Sequence, residues 1–325
     1  MSTHNAATLL QPIADDMRAV DAIIRARLSS EVVLINQIGE YIVQSGGKRL
    51  RPSLVLMVAK ALGYDGTHHH ELAAVVEFIH TATLLHDDVV DESSLRRGKD
   101  TANALFGNAA SVLVGDFLYS RSFQMMVSVQ NMRVMEVLSD ATNVIAEGEV
   151  LQLLNCNDPD ISFDAYLRVI RYKTAKLFEA AGRLGAIIAG ADSATEAAMG
   201  RYGMHLGTAF QLIDDVLDYS GSAADTGKNV GDDLAEGKPT LPLLYAIQHG
   251  SAEDARVIRE AIIHGNASHF AEILAIIDRT GALAYTREQA RQDAERARTE
   301  LSALPNSKYK TSLLELPAFA VERNH

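Results

Sequence analysis

Two copies of one acidic pattern are the residues of this chain best suited to chemistry. They are Asp87-Asp88-Val89-Val90-Asp91 and Asp214-Asp215-Val216-Leu217-Asp218. Both sit in apolar stretches with helical spacing, where unpaired carboxylates are ordinarily excluded. Residues four apart share a helix face, so Asp87 pairs with Asp91 and Asp214 with Asp218. Like charges gathered in apolar surroundings need positive compensation. All-oxygen ligands suit a hard divalent cation such as Mg2+, which is typically held by one or two carboxylates and substrate phosphates. The pattern reads as two acidic walls, with Asp87, Asp88, Asp91, Asp214, Asp215 and Asp218 as candidate metal ligands facing a polyphosphate.

Cations follow each wall in the order that such a ligand requires. Gly46-Gly47-Lys48-Arg49-Leu50-Arg51-Pro52 joins two helical stretches, and its glycines permit close backbone approach while Lys48 and Arg51 reach one anion. Arg96-Arg97-Gly98 follows the first acidic motif, Tyr172-Lys173-Thr174 lies within a helical run, and Gly227-Lys228 and Gly237-Lys238-Pro239-Thr240 flank an irregular segment. That segment, 221–239, has the length and position of a lid. Asp232 and Asp233 within it are either solvated or, for Asp233, a partner for metal-bound water. Neither Gly-Lys pair is a Walker A loop, because Asn229 and Pro239 follow the lysines.

The elements that must position these groups are helices. Helical periodicity predicts segments at 8–28, 31–44, 52–62, 71–91, 109–130, 133–155, 163–190, 195–219, 240–249, 253–264, 267–278, 281–302 and 308–321. Ser162 and either Asp192 or Ser193 are the expected caps of the helices that follow them. No strand-period segment competes. The stretch 71–91 is apolar on nearly every side, which predicts a central buried helix ending at the first acidic motif. His68-His69-His70 follows a Gly-Tyr-Asp-Gly turn and reads as a solvated loop, while His86 points away from Asp87 and reads as a packing residue. His70-Glu71 lacks the second histidine of a zinc-protease motif, since Ala74 stands there.

Composition narrows the class. The hydrophobic fraction of 47% supplies a large core, and 7 prolines, 6% aromatics and no tryptophan favour helix over sheet. A formal charge of -12 argues against nucleic acid as a partner. The single cysteine, Cys156, excludes an intrachain disulfide and fits a reducing compartment. Neither a signal peptide nor a membrane span is expected, so the sequence predicts a cytoplasmic protein. Nothing resembling a linker divides the chain.

Over almost its whole length the sequence resembles the trans-type (all-E) isoprenyl diphosphate synthases, and most of all their long-chain members that make quinone side chains. The resemblance rests on GGKRLRP, DDVVD followed by RRG, KTAKLF, GTAFQLIDDVLD and the GK…GDDLAEGKPTLP run, in that order. It implies an all-α isoprenoid synthase fold, one domain over 1–325 with a deep central cavity, and a homodimer. The implied reaction adds isopentenyl diphosphate units head-to-tail onto an allylic diphosphate. Asp87, Asp91 and Asp214 would hold three Mg2+ ions on the allylic diphosphate. Arg96, Lys173, Lys228 and Lys238 would surround its leaving group, and Thr174 and Gln211 would turn oxygen dipoles toward the developing cation. Lys48, Arg51, His80 and Arg97 would grip the second diphosphate. No side-chain base is evident, and the departing diphosphate is the implied proton acceptor.

Product length would be set one turn below Asp87, where short-chain members carry a bulky aromatic. Here Ala82 and Thr83 are small, so the tail is expected to pass toward Ile79, with Met126 and Leu138 as the floor. Class I terpene cyclases and head-to-head synthases share acidic motifs but have no reason for a second diphosphate site. A non-catalytic partner subunit would be expected to lose aspartates that this chain keeps.

Overall fold

A computed structural model describes residues 6–44, 46–96, 98–220, 231–266 and 268–323. Among them the architecture is helical, as the periodicity predicts. The first eleven helices are α1 (Ala6–Leu10), α2 (Ala14–Leu28), α3 (Val33–Gln44), α4 (Leu50–Ala61), α5 (His68–Val90), α6 (Ala102–Phe106), α7 (Asn108–Ser128), α8 (Met132–Asn155), α9 (Phe163–Ile170), α10 (Lys176–Ile188) and α11 (Ser193–Ser220). Helices Leu241–His249, Ala252–His264, Phe270–Thr280, Ala282–Glu300 and Lys308–Glu322 complete the bundle.

α5 is the central helix. Leu72, Val75, Val76, Phe78, Ile79, Ala82 and Leu85 are all buried, and they join one apolar cluster with α4, α7, α8, α10 and α11. Glycines allow the closest crossings. A Cβ on Gly203 of α11 would fall 2.1 Å from the Phe178 carbonyl oxygen of α10, so nothing larger fits there.

The expected caps form. The Ser162 hydroxyl accepts from Ala165 N at 3.1 Å, and an Asp192 carboxylate oxygen accepts from Thr195 N at 2.8 Å.

Several local features depart from the periodicity, among them short helices at Ala102–Phe106 and, inside the segment read as irregular, at Asp232–Ala235. The 8–28 segment is interrupted by a 3-10 turn at Gln11–Ile13, where Pro12 cannot continue the hydrogen-bond ladder. Leu95–Arg96 and Lys99–Asp100 form a two-residue antiparallel pair, too short to leave a strand pattern. The 163–190 run is continuous but contains a π-helical turn at Arg171–Ala175, closed by Lys176 N–H bonding back to Arg171 O. Finally, the histidine tract is not a solvated loop. It is the first turn of α5, with His69 only 1% exposed and both His69 and His70 directed at Asp16 of α2. A carboxylate from another helix draws in side chains whose local sequence reads as a turn.

No helix among the described residues is long and apolar enough to cross a membrane.

Candidate active site

α5 and α11 bring the two acidic motifs to one cavity of about 950 Å³. Asp87 and Asp91 stand on one wall, and Asp214, Asp215 and Asp218 on the other. Helical spacing puts each i, i+4 pair on the cavity face. Asp88 is turned about 100° from Asp87 and does not reach the cavity. It is buried and accepts from Arg96 Nε at 2.7 Å and Nη2 at 2.6 Å. The short strand pair after α5 carries Arg96 back to this position, from which it also lines the cavity.

Lys173 and Thr174 reach the cavity from the π turn, and such bulges recur at functional sites. α8 approaches this turn closely because residue 148 is glycine. A Cβ there would lie 2.6 Å from the Lys173 backbone nitrogen. Lys173 Nζ stands 3.4 Å from Asp87 Oδ2 and 2.7 Å from Glu149 Oε2. Thr174 Oγ1 donates to Gln211 Oε1 at 2.9 Å, and Gln211 Nε2 donates to Asp215 Oδ1 at 2.9 Å. Lys238 Nζ donates to Asp91 Oδ2 at 3.0 Å and also contacts Glu236. Asp233 N donates to Asp218 Oδ2 at 3.3 Å.

A separate basic group occupies another part of the wall. Lys48, Arg51 and His80 all line the cavity. Arg49 takes a left-handed backbone, φ 50°, at the entry to α4, and its side chain pairs with Glu77 at 2.8 Å. Arg51 Nη1 lies 3.3 Å from His80 Nε2, and its guanidinium stacks 4.3 Å above the Phe178 ring. Arg97, Lys228 and residues 221–230 of the expected lid lie outside the described residues.

Charge is unevenly compensated. Burial, followed by the charges of Asp233 and Asp214, pushes the Asp215 carboxyl up to about 8, against hydrogen bonds from Tyr166 and Gln211. Burial and then Asp87 push Glu149 up to about 7, against the pull of Lys173. Lys238 is raised, because Asp233, Asp91 and Glu236 outweigh its burial. Carboxylates crowded enough to hold protons near neutrality fit a divalent cation, and their donors are all hard oxygens.

The cavity surface also includes Thr83, Leu84, Ile145, Leu177, Phe178 and Phe210. Of the expected chain-length residues, only Thr83 reaches this surface. Ala82, Ile79, Met126 and Leu138 are buried in the cluster around it and do not line the cavity.

Sequence reasoning missed three groups. Glu149 follows a glycine in an otherwise amphipathic helix, and its neighbour Glu147 disguises it as surface charge. Tyr166 donates to Asp215 Oδ2 at 2.5 Å, and only its place on the buried side of α9 hints at this. Arg323, beyond the last predicted helix, donates to Asp214 Oδ1 at 2.5 Å and Phe210 O at 2.7 Å, with its guanidinium 3.7 Å over the Phe210 ring. No local signal marks it. His86 turns away from the cavity, as its spacing predicts, with Nε2 3.1 Å from Val112 O.

The family model described as polyprenyl synthetase matches residues 32–278. The octaprenyl diphosphate synthase of Escherichia coli K12 is 56% identical over 312 residues, covering 96% of this chain and 97% of the relative. The all-trans-nonaprenyl-diphosphate synthase (geranyl-diphosphate specific) of Rhodobacter capsulatus is 46% identical, with 97% of each chain covered. Among solved structures, the polyprenyl synthase of Caulobacter crescentus CB15, complexed with calcium and isoprenyl diphosphate, superposes with a TM-score of 0.96 at 44% identity, covering 100% of both chains. These matches establish that the chain belongs to the polyprenyl synthetase family.

Proposed function

We propose that this prenyltransferase condenses isopentenyl diphosphate units head-to-tail onto an allylic diphosphate such as farnesyl diphosphate, ending at octaprenyl diphosphate for quinone side chains. The observation that carries the reaction is one cavity with two facing acidic walls and a separate basic group, enough for two diphosphates. The octaprenyl length rests on relatives of that name at 54–56% identity. Nonaprenyl is the neighbouring alternative, and the R. capsulatus relative supports it.

Asp87, Asp91, Asp214, Asp215 and Asp218 would hold Mg2+, three ions in the substrate complex. When bound, Mg2+ would supply Lewis-acid stabilisation of the negative charge on the leaving diphosphate. Lys173, Lys238 and Arg96, with Lys228, add fixed positive charge around the same group. Such preorganised charge is often the largest single contribution to catalysis. Thr174 and Gln211, locked to each other and to Asp215, hold their oxygens beside the developing allylic cation. Arg51 and His80, with Lys48 and Arg97, orient the second diphosphate so that the isopentenyl double bond attacks the cation. The new C–C bond forms, and the proton lost from the isopentenyl carbon passes to the released diphosphate.

The same reading makes the chain one catalytic domain over 1–325, working in the cytoplasm. A homodimer is supported by exposed apolar side chains on α7 and α8: Leu113, Val127, Met132, Val150, Leu153 and Leu154. Exposed apolar side chains concentrated on consecutive helices are of the kind that marks an interface.

Radiolabelled isopentenyl diphosphate with farnesyl diphosphate and Mg2+ tests the reading. The expected result is a product ladder ending at octaprenyl. A cyclised hydrocarbon, or no incorporation, would refute it.

A further inference from the structure

The histidine tract has a place in the structure that the reaction does not use. His69 and His70 open α5, Asp16 lies in the first turn of α2, and Lys60 approaches from the end of α4. None of the four lines the catalytic cavity. His69 Nε2 is 3.2 Å and His70 Nε2 2.9 Å from the same Asp16 oxygen, and a donor atom from each of the three lies within 4.8 Å of the others.

We propose that Asp16, His69 and His70 form a second cation site, suited to a borderline transition metal such as Zn2+ and not to Mg2+. Two imidazole nitrogens and one carboxylate match Zn2+, whereas Mg2+ prefers oxygen donors. Bonds of ~2.0 Å in a tetrahedron place ligand atoms about 3.3 Å apart. Two of the three edges, at 2.9 and 3.2 Å, need to widen by only a few tenths of an ångström, and the third, between the imidazoles, lies within 4.8 Å.

Both imidazoles reach Asp16 through Nε2, the ring nitrogen that would bind the metal, and its proton would shift to Nδ1 on binding. Hydrogen bonds from His70 and His69 hold Asp16 below its usual range despite burial. Asp16 and His70 keep about 15% and 16% exposure, which leaves a path for entry and a fourth position open to solvent.

Two features oppose tight binding. Lys60 Nζ lies 3.9 Å from the Asp16 oxygen and must swing into solvent, which its 23% exposure permits. His69 Nδ1 is buried without a hydrogen-bond partner among the described residues, so the usual outer acceptor of a metal-bound histidine is missing. The site is consequently weaker than a completed one.

Its effect is structural. About 19 residues of helix, or roughly 28 Å at 1.5 Å per residue, separate His69 from Asp87 and Asp88. A metal here clips α2 to the start of the helix whose other end bears the first acidic wall.

The test uses untagged protein dialysed against excess Mg2+ and then titrated with Zn2+, or with Co2+ as a spectroscopic probe. The expected result is one Zn2+ retained per chain, a higher melting temperature, and the intense visible bands of tetrahedral Co2+. His70→Ala should lower zinc affinity by more than the ~10–100-fold that outer-shell changes cost, with prenyl transfer unchanged. Asp16→Asn, nearly isosteric, should do the same should His70→Ala fold poorly. Asp87→Asn and Asp214→Asn should retain the Zn2+. Failure of the wild type to retain zinc would overturn the proposal. So would zinc loss in the Asp87 or Asp214 variants with retention in His70→Ala and Asp16→Asn, which would place the ion in the catalytic cavity.

Discussion

The two acidic walls look alike in sequence and differ in how they are compensated. On the α5 wall, Asp87 faces Lys173 and Asp91 faces Lys238, so the chain's own lysines offset much of the charge. On the α11 wall, Asp215 is backed by neutral donors, Tyr166 and Gln211, and is pushed up to about 8, while Arg323 contacts Asp214. Identical motifs can therefore have different resting charge. The α5 aspartates face lysines before any ligand arrives, whereas Asp215 on the α11 wall meets neutral donors and is the carboxylate whose ionised form a cation would help most.

The largest expected effect comes from removing one charge from either wall. Asp87→Asn and Asp214→Asn should each cut turnover by ~10²–10³-fold, the usual cost of losing one group that stabilises transition-state charge. Excess chelator should abolish turnover in the wild type. Full activity in chelator would end the metal reading of both walls.

Next come the cations. Arg51→Ala should raise the Michaelis constant for isopentenyl diphosphate ~10–100-fold, in line with a charge-assisted hydrogen bond of about 1.5–3 kcal/mol. Lys238→Ala should act mainly on kcat, because Lys238 belongs to the α5 wall. Steady-state kinetics with each substrate varied separates the two. Equal effects on both Michaelis constants from both variants would erase the division.

A smaller change in rate, but a visible change in product, is expected behind the α5 wall. Thr83→Phe, at the chain-length position that lines the cavity, should shift products toward farnesyl and geranylgeranyl sizes while sparing the first condensation. At Ala82, 1% exposed inside the core, an added ring would instead risk about 1–3 kcal/mol of overpacking. A folded, active variant with an unchanged ladder would show that the tail runs elsewhere.

The smallest effect is in stability against pH. Glu149 rises from 4.5 to about 7 in the folded chain, so between those values the folded state holds a proton that the unfolded chain has released. Stability of the metal-free protein should fall as pH rises through that window, and Asp215 should extend the fall toward 8. Thermal melts in chelator should show this slope, Glu149→Gln should flatten its lower part, and Mg2+ should oppose it. A flat profile in the wild type would contradict the uneven charge.

Much of this was legible in the chain. Apolar periodicity fixes α5 and α11, and the i, i+4 spacing of each aspartate motif fixes which carboxylates share a face. What stayed hidden depends on distance in sequence or on exceptions to regular geometry. Arg323 reaches Asp214 from another helix, and Asp16 reorganises a histidine tract whose own neighbours read as a turn. Asp88 matches its motif by type, yet the helix turns it to Arg96. Glu149 takes its importance from Lys173, which the π turn places beside it.

That π turn makes length itself a functional quantity. An extra residue in one turn advances everything after it by about 100°, so α9 and α10 are two rods joined out of phase. Phe178 after the joint shares the cavity face with Tyr166 before it through this offset, since a regular helix would set the two about 120° apart. A substitution at 171–175 alters one side chain. Deleting one residue would restore a regular helix and swing a whole segment of the wall out of the site, a defect that no compensating change of side chain could repair.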